Sequence, residues 1–208
     1  MAYFPFFMDI EEKNCLIVGG GKVALRKAEK LLPYGPVIHL VSPVFAEEFY
    51  AMPALRLNVG EFQPDMLENM SFVIAATGNS SLNHQISALC RARNIPVNVV
   101  DDKDACSFIF PALVKRGALS VGISTGGASP SAAIYLKERI NALLPDRLDE
   151  ILSFLDAARA PIKAAFPLEE ARSAVFKELF LLCMEQNAPL TADSFRAFLA
   201  ERGQGQNG

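Results

Sequence analysis

The sequence predicts an α/β fold: a doubly wound parallel sheet, then a small strand–helix segment, then a helical carboxyl-terminal domain. Three observations carry this. Short apolar runs alternate with helix-period segments through the first half of the chain, the pattern of parallel strands covered on both faces. A glycine run separates the first such strand from the first such helix. After Asp101 the pattern changes to a strand pair and then to helices alone. With 208 residues, 51% of them hydrophobic and 21% charged, the chain can build one large domain with an appendage and is not disordered.

In order along the chain, residues 15–18 form an apolar strand. Residues 22–32 read as a helix with Val23, Ala24, Ala28, Leu31 and Leu32 on one side. A strand at 37–41, a helix near 45–51 and a strand at 55–59 follow, then an entirely apolar strand at 72–76. Residues 80–93 have helical periodicity and 97–100 are the fifth apolar run. Beyond these, 108–110 and 119–124 read as strands, joined through a turn at Lys115-Arg116-Gly117. Ser129 is a helix N-cap and Pro130 the first helical residue. From Arg147 onward the signal is helical, broken by Pro161, Pro167 and Pro189, and 203–208 reads as a frayed tail. The expected division is 1–112, 113–145 and 146–208.

Composition narrows the function. A formal net charge of −3 argues against a general nucleic-acid partner. The four cysteines, Cys15, Cys90, Cys106 and Cys183, are far apart with no CxxC pair. They fit reduced thiols of a cytoplasmic protein better than disulfides or a zinc site. His39 and His84 are the only histidines, too few for a multi-histidine metal cage. No uncharged apolar stretch approaches the roughly 18 residues of a membrane span. The apolar run at residues 3–8 is short and lacks the positive charges of a signal peptide. A soluble, intracellular protein with no membrane partner is expected.

The strongest local signal is Gly19-Gly20-Gly21-Lys22-Val23-Ala24, read as G-x-G-x-x-A between a strand and a helix. That context is the one a dinucleotide-binding, Rossmann-like fold requires. Gly19 permits the tight turn, Gly21 lets backbone approach a pyrophosphate, and Ala24 allows the helix to pack close on the strand. The helix N-terminus offers unpaired N–H groups to the phosphates. An acid at the end of the second strand, which would grip the adenosine ribose, is missing: the region reads Val41-Ser42-Pro43-Val44. Ser42 or backbone would have to replace it, and the residues leave NAD against NADP open.

Three further motifs have two readings each. Ala75-Ala76-Thr77-Gly78-Asn79 follows a buried strand, either beside a cofactor, with Thr77 near it, or as a plain strand-to-helix turn. Asp101 ends the fifth strand at the ligand-binding edge of such sheets. It is either a general base or a turn-capping Asp, and crowding by Asp102 and Asp104 would raise one carboxyl pKa. The loop Ser124-Thr125-Gly126-Gly127-Ala128-Ser129-Pro130 is either an anion receptor or a simple helix cap. Lys115, Arg116, Lys137, Arg139 and Arg147 are either solvated charges or partners of substrate carboxylates.

Taken together, these motifs resemble the precorrin-2 dehydrogenase/sirohydrochlorin ferrochelatase family, the amino-terminal module of siroheme synthase. The resemblance rests on Phe4-Pro5-Phe6-Phe7, the run from Cys15 to Ala24 with Arg26-Lys27, Ala75-Ala76-Thr77, Asn98-Val99-Val100-Asp101, the run from Ser107 to Pro111, and the run from Ser124 to Pro130. It covers roughly residues 3–145; the helical tail is similar only in length and character. It implies NAD-dependent oxidation of precorrin-2 to sirohydrochlorin, and in many members insertion of ferrous iron. Asp101 falls on the family's catalytic aspartate and would have to serve iron transiently as well. Family contacts to NAD fall on Lys22, Val23, Pro43 and Val44, and Ser124, Thr125, Gly126 and Ser129 would receive substrate carboxylates. The family also implies an intertwined homodimer formed through 113–145. Uroporphyrinogen methylation is not expected, because the sequence stops where fused members continue. The competing readings are a non-catalytic NAD(P)-sensing regulatory module and an NADP-dependent reductase of another metabolite.

Overall fold

Strands β1 (Asn14–Val18), β2 (Val37–Ser42), β3 (Leu55–Val59), β4 (Phe72–Ala75) and β5 (Val97–Val99) form one parallel sheet in the order β3-β2-β1-β4-β5. This computed structural model describes residues 3–204. Strand β1 shows why the apolar runs are continuous rather than alternating. Its Cys15 and Ile17 face a layer holding Ala24, Leu25, Ala28 and Leu31 of helix α1 (Lys22–Leu31). Its Leu16 and Val18 face the opposite layer, with Ile86 and Cys90 of helix α2 (Ser80–Ala92). Each fully buried aliphatic side chain here, such as Ile17, Ile38 or Ile74, contributes about 1.5–3 kcal/mol. The strand order reverses between β1 and β4, and a cleft outside the carboxyl ends of the strands at such a switch point is where ligands bind in this architecture.

Several local expectations need correction. The segment expected as a helix near 45–51 is a 3-10 turn, Glu47–Ala51. Pro43 and Pro53 bracket it and restrict the residues before them, so no full helix fits, although Phe45 and Phe49 still fill the α1 layer. On α1, Val23 points outward at 41% exposure, and Leu25 takes the buried place instead. Residues 108–110 are not a strand. Phe108 and Phe110 alternate as a strand would and pack on the α1 layer, but this stretch has no ladder partner.

The chain divides into two compact units, 6–110 and the remainder. In the second, strands β6 (Ala112–Arg116) and β7 (Leu119–Ile123) form an antiparallel hairpin. The turn therefore falls one step later than expected, with Gly117 at φ 50°. Helix α3 (Pro130–Leu143) is capped as the sequence predicts, the Ser129 side chain accepting from the Ala132 N–H at 3.1 Å. It leaves Ile134, Tyr135, Leu136 and Leu143 exposed.

Helices α4 (Leu148–Ala165), α5 (Glu169–Glu185) and α6 (Ala192–Gln204) close around Ile151, Ile162, Phe166, Leu179 and Cys183. Pro161 does not break α4 but lies inside it. The carbonyl it leaves without a helical donor is that of Ala157, an exposed residue open to water. The tail begins later than expected, since Gly203 is still helical; residues 205–208 of that stretch lie outside the described residues. Among the described residues, no helix is long and apolar enough to cross a membrane.

Candidate functional site

The glycine run turns the chain from β1 into α1 under close constraint. Gly19 adopts φ 133°, and a Cβ there would stand 2.4 Å from the Ala76 carbonyl oxygen. At Gly20 a Cβ would meet the Val44 carbonyl oxygen at 2.0 Å. Gly20 was only a spacer in the fingerprint, yet it is the most crowded of the three. Gly21 differs: nothing lies within 4 Å of its Cβ position. It is the N-cap of α1, with no side-chain cap and no acid in the first turn. Helix α2, by contrast, is capped by Asn79, and α3 by Ser129. The first-turn N–H groups of α1 thus lack both the side-chain cap of α2 and α3 and the first-turn acids of the helices that begin at Leu148 and Glu169, which suits an anionic ligand.

A cleft of about 810 Å³ opens above these N–H groups, lined from the ends of β1, β2, β3 and β4 and by α2. Of the residues expected at the cofactor, Gly19, Gly21, Ser42, Pro43, Val44 and Thr77 line it. Lys22, Val23 and Ala24 do not. Ala24 is fully buried in the core, so its part is to let α1 approach the sheet. Gly20 and Gly78, from the glycine run and the 75–79 motif, line it too, and the unforeseen lining residues are Glu61, Phe62 and Gln85. No local pattern marks them, since they come together only through the β3 and α2 crossovers.

Two lining hydroxyls are already committed. Ser42 Oγ donates to the Val44 carbonyl at 2.7 Å. Thr77 Oγ1 donates within 2.7 Å of Asn83 Oδ1, and the Asn83 amide returns a hydrogen bond to the Thr77 carbonyl at 3.1 Å. Asn83, buried at 5% exposure, holds the loop after β4 in shape, and sequence pattern alone gave no sign of it.

Asp101 lies just past β5 at the same carboxyl edge of the sheet, exposed, and in left-handed backbone with φ 60°. Asp tolerates this region better than most residues. The expected crowding of carboxylates is relieved: Asp102 is lowered, not raised. Its carboxylate accepts from the Ala105 N–H at 3.0 Å, then from His84 Nε2 at 2.5 Å, and also from the Asp104 N–H. Beneath this turn, Asn98 (6% exposed) donates to the Phe108 carbonyl at 3.0 Å and accepts from Lys27 Nζ at 3.3 Å. The ammonium also sits 3.9 Å above the Phe110 ring.

Burial and then Lys30 push Lys27 down to about 8, against the opposing pull of Cys106 and Asp101. Between pH 8 and its ordinary 10.5 the unfolded chain binds this proton more tightly than the folded one, so Lys27 makes the fold more stable as pH rises through that window. Its Cε resonance should titrate near pH 8 in a carbon-13 NMR series; a midpoint above 10 would rule this out.

The 124–130 loop belongs to the second unit. Its hydroxyls serve the loop itself: Thr125 Oγ1 donates to the Ser129 carbonyl and accepts from the Ser129 N–H, and Ser124 Oγ accepts from Gly126 N–H. Gly126 and Gly127 have φ of 63° and 90°. Arg147 is held by Glu150 in a two-point ion pair. Among the described residues no three His, Cys, Asp or Glu side chains gather as a metal site.

A parallel 3-2-1-4-5 sheet with an uncapped, glycine-led helix over a cleft at its switch point defines a dinucleotide-binding domain. The chain belongs to the NAD(P)-binding family described as "Putative NAD(P)-binding", which it matches over residues 6–112. It is 40% identical over 176 residues to the siroheme synthase of Nitrosomonas eutropha, covering 83% of this chain and 37% of that protein. It is 37% identical over 183 residues to the siroheme synthase of Photorhabdus laumondii, covering 86% and 39%. The solved structure of "SirC, precorrin-2 dehydrogenase" superposes with a TM-score of 0.70 at 25% identity, over 97% of this chain and 100% of that one. The chain spans about two fifths of the length of the curated siroheme synthases it matches. These comparisons agree with the resemblance drawn from the motifs.

Proposed function

We propose that this chain oxidises precorrin-2 to sirohydrochlorin in siroheme biosynthesis, with NAD as acceptor. One coincidence carries the reading: an open dinucleotide cleft and an exposed carboxylate in left-handed backbone, Asp101, share one sheet edge in a chain similar to siroheme synthases and to SirC. The reaction removes one hydride and one proton from a partly reduced tetrapyrrole and so extends its conjugation. NAD, when bound, takes the hydride. The α1 N-terminus holds the pyrophosphate, the loops after β2 and β4 flank the nucleotide, and Asp101 accepts the proton. Ser124, Thr125, Gly126 and Ser129 receive substrate carboxylates at the α3 N-terminus.

The proposal extends to a lyase step, insertion of ferrous iron into sirohydrochlorin, in which Asp101 is the transient ligand and, once the metal has passed to the macrocycle, relays the two displaced N–H protons to solvent one at a time. It includes a cytoplasmic homodimer formed through 113–145. The exposed Ile134, Tyr135, Leu136 and Leu143 of α3 favour association, and the four free cysteines favour a reducing compartment. Precorrin-2 and NAD mixed with the protein should give the sirohydrochlorin spectrum, and ferrous iron should then convert it to that of siroheme. No spectral change with NAD or NADP would reject the dehydrogenase, and no second change would reject the iron step. Light scattering at micromolar concentration should read twice the chain mass; a single mass would reject the dimer.

A further inference from the structure

The dinucleotide reading leaves the adenosine ribose without a carboxylate at the end of β2, where one ordinarily stands. Ser42 is a poor substitute, because its hydroxyl proton is already given to the Val44 carbonyl. We infer that Glu61, from the neighbouring strand, supplies the missing carboxylate and selects a dinucleotide with a free ribose diol over one carrying a 2′-phosphate. This rests on the cleft being the dinucleotide site, and goes beyond it in naming the residue that recognises the nucleoside.

The placement follows from the sheet. Ser42 pairs with Val59 at the last rung of β2 and β3, and the Gly60 N–H donates to the Ser42 carbonyl at 3.0 Å. The ladder thus continues one rung past β3 and keeps the chain alongside β2 just before Glu61, whose side chain is exposed and lines the cleft with Ser42, Pro43 and Val44. The third strand lies about 4.8 Å further from the glycine turn than the second. Glutamate, one methylene longer than aspartate, shortens that gap.

Charge decides the selectivity. Among the described residues, Glu61 is the only charged one lining the cleft, and no lysine or arginine lines it. A ribose diol can donate two hydrogen bonds to a carboxylate, each charge-assisted. A 2′-phosphate can donate none at neutral pH and brings like charge against it, with no cation to offset the repulsion.

The test is calorimetric titration of the full chain with NAD and with NADP. Wild type should bind NAD at least about a hundredfold more tightly than NADP. Glu61→Gln should weaken NAD about tenfold or more, the usual loss for a hydrogen bond to a charged group, and improve NADP. Glu61→Arg should bring the NADP affinity to or above that for NAD. A wild type that prefers NAD with Glu61→Gln keeping the same ratio would overturn the role of Glu61 and leave the dinucleotide site standing. A wild type that binds neither ligand would overturn both. Because Glu61 is exposed, the melting temperature of both variants should match wild type, separating a binding loss from unfolding.

Discussion

Asp101→Asn is expected to lower precorrin-2 oxidation by roughly 10²–10⁴, the range for removing a positioned general base, with NAD affinity unchanged. Asparagine preserves the shape and one acceptor oxygen but cannot take up a proton at neutral pH. It also tolerates the φ of 60° found there, as a β-branched residue would not. The substitution therefore isolates chemistry from folding. Asp102 and Asp104 provide the contrast. Asp102 is tied to two backbone N–H groups and His84, so Asp102→Asn should disturb the turn more than the proton transfer, and Asp104→Asn should do little. The decisive reading is turnover under saturating NAD: an Asp101→Asn enzyme within threefold of wild type would mean that the base is elsewhere. Iron insertion, measured on sirohydrochlorin, should fall by a comparable factor.

Gly21→Asp should abolish NAD binding while the protein stays folded. The position has open space around its Cβ direction, so the new side chain fits. It would place a carboxylate at the uncapped start of α1, where it can accept the first-turn N–H groups and repel a pyrophosphate. A loss of at least about a hundredfold, ~2.8 kcal/mol, is expected by calorimetric titration; wild-type affinity would refute the pyrophosphate site. Gly20→Ala makes the opposite comparison. Its methyl group would meet the Val44 carbonyl oxygen, so that variant should lose thermal stability as well as affinity.

How far the sequence could be read depended on the range of the interactions. The glycine turn, the five strands and the Ser129 cap were legible because each is decided within a few residues. The stretch 108–110 was misread because period-two alternation reports which side chains are buried and not whether a partner strand exists. Pro161 was misread because a proline's cost depends on whether its orphaned carbonyl reaches water. Val23 and Leu25 exchanged places because both flank Ala24 at opposite edges of the one buried face of α1, and periodicity fixes the centre of that face but not which edge the sheet covers. Within the cleft, the residues adjoining the glycine and β2 motifs could be found from pattern. Glu61, Phe62 and Gln85 arrive through separate crossovers, and Asn83 matters only for its hydrogen bonds to a loop six residues back.

The bare end of α1 couples the folding equilibrium to occupancy of the cleft. A helix start without its own acceptor is completed by whatever anion occupies it, so the dinucleotide acts as a missing part of the fold. By mass action, a ligand at a hundred times its dissociation constant adds about 2.7 kcal/mol to the native state, comparable to several internal hydrogen bonds. The chain should therefore resist proteolysis around β1 and α1 better with the dinucleotide bound than without it, a difference that limited digestion with and without NAD would read.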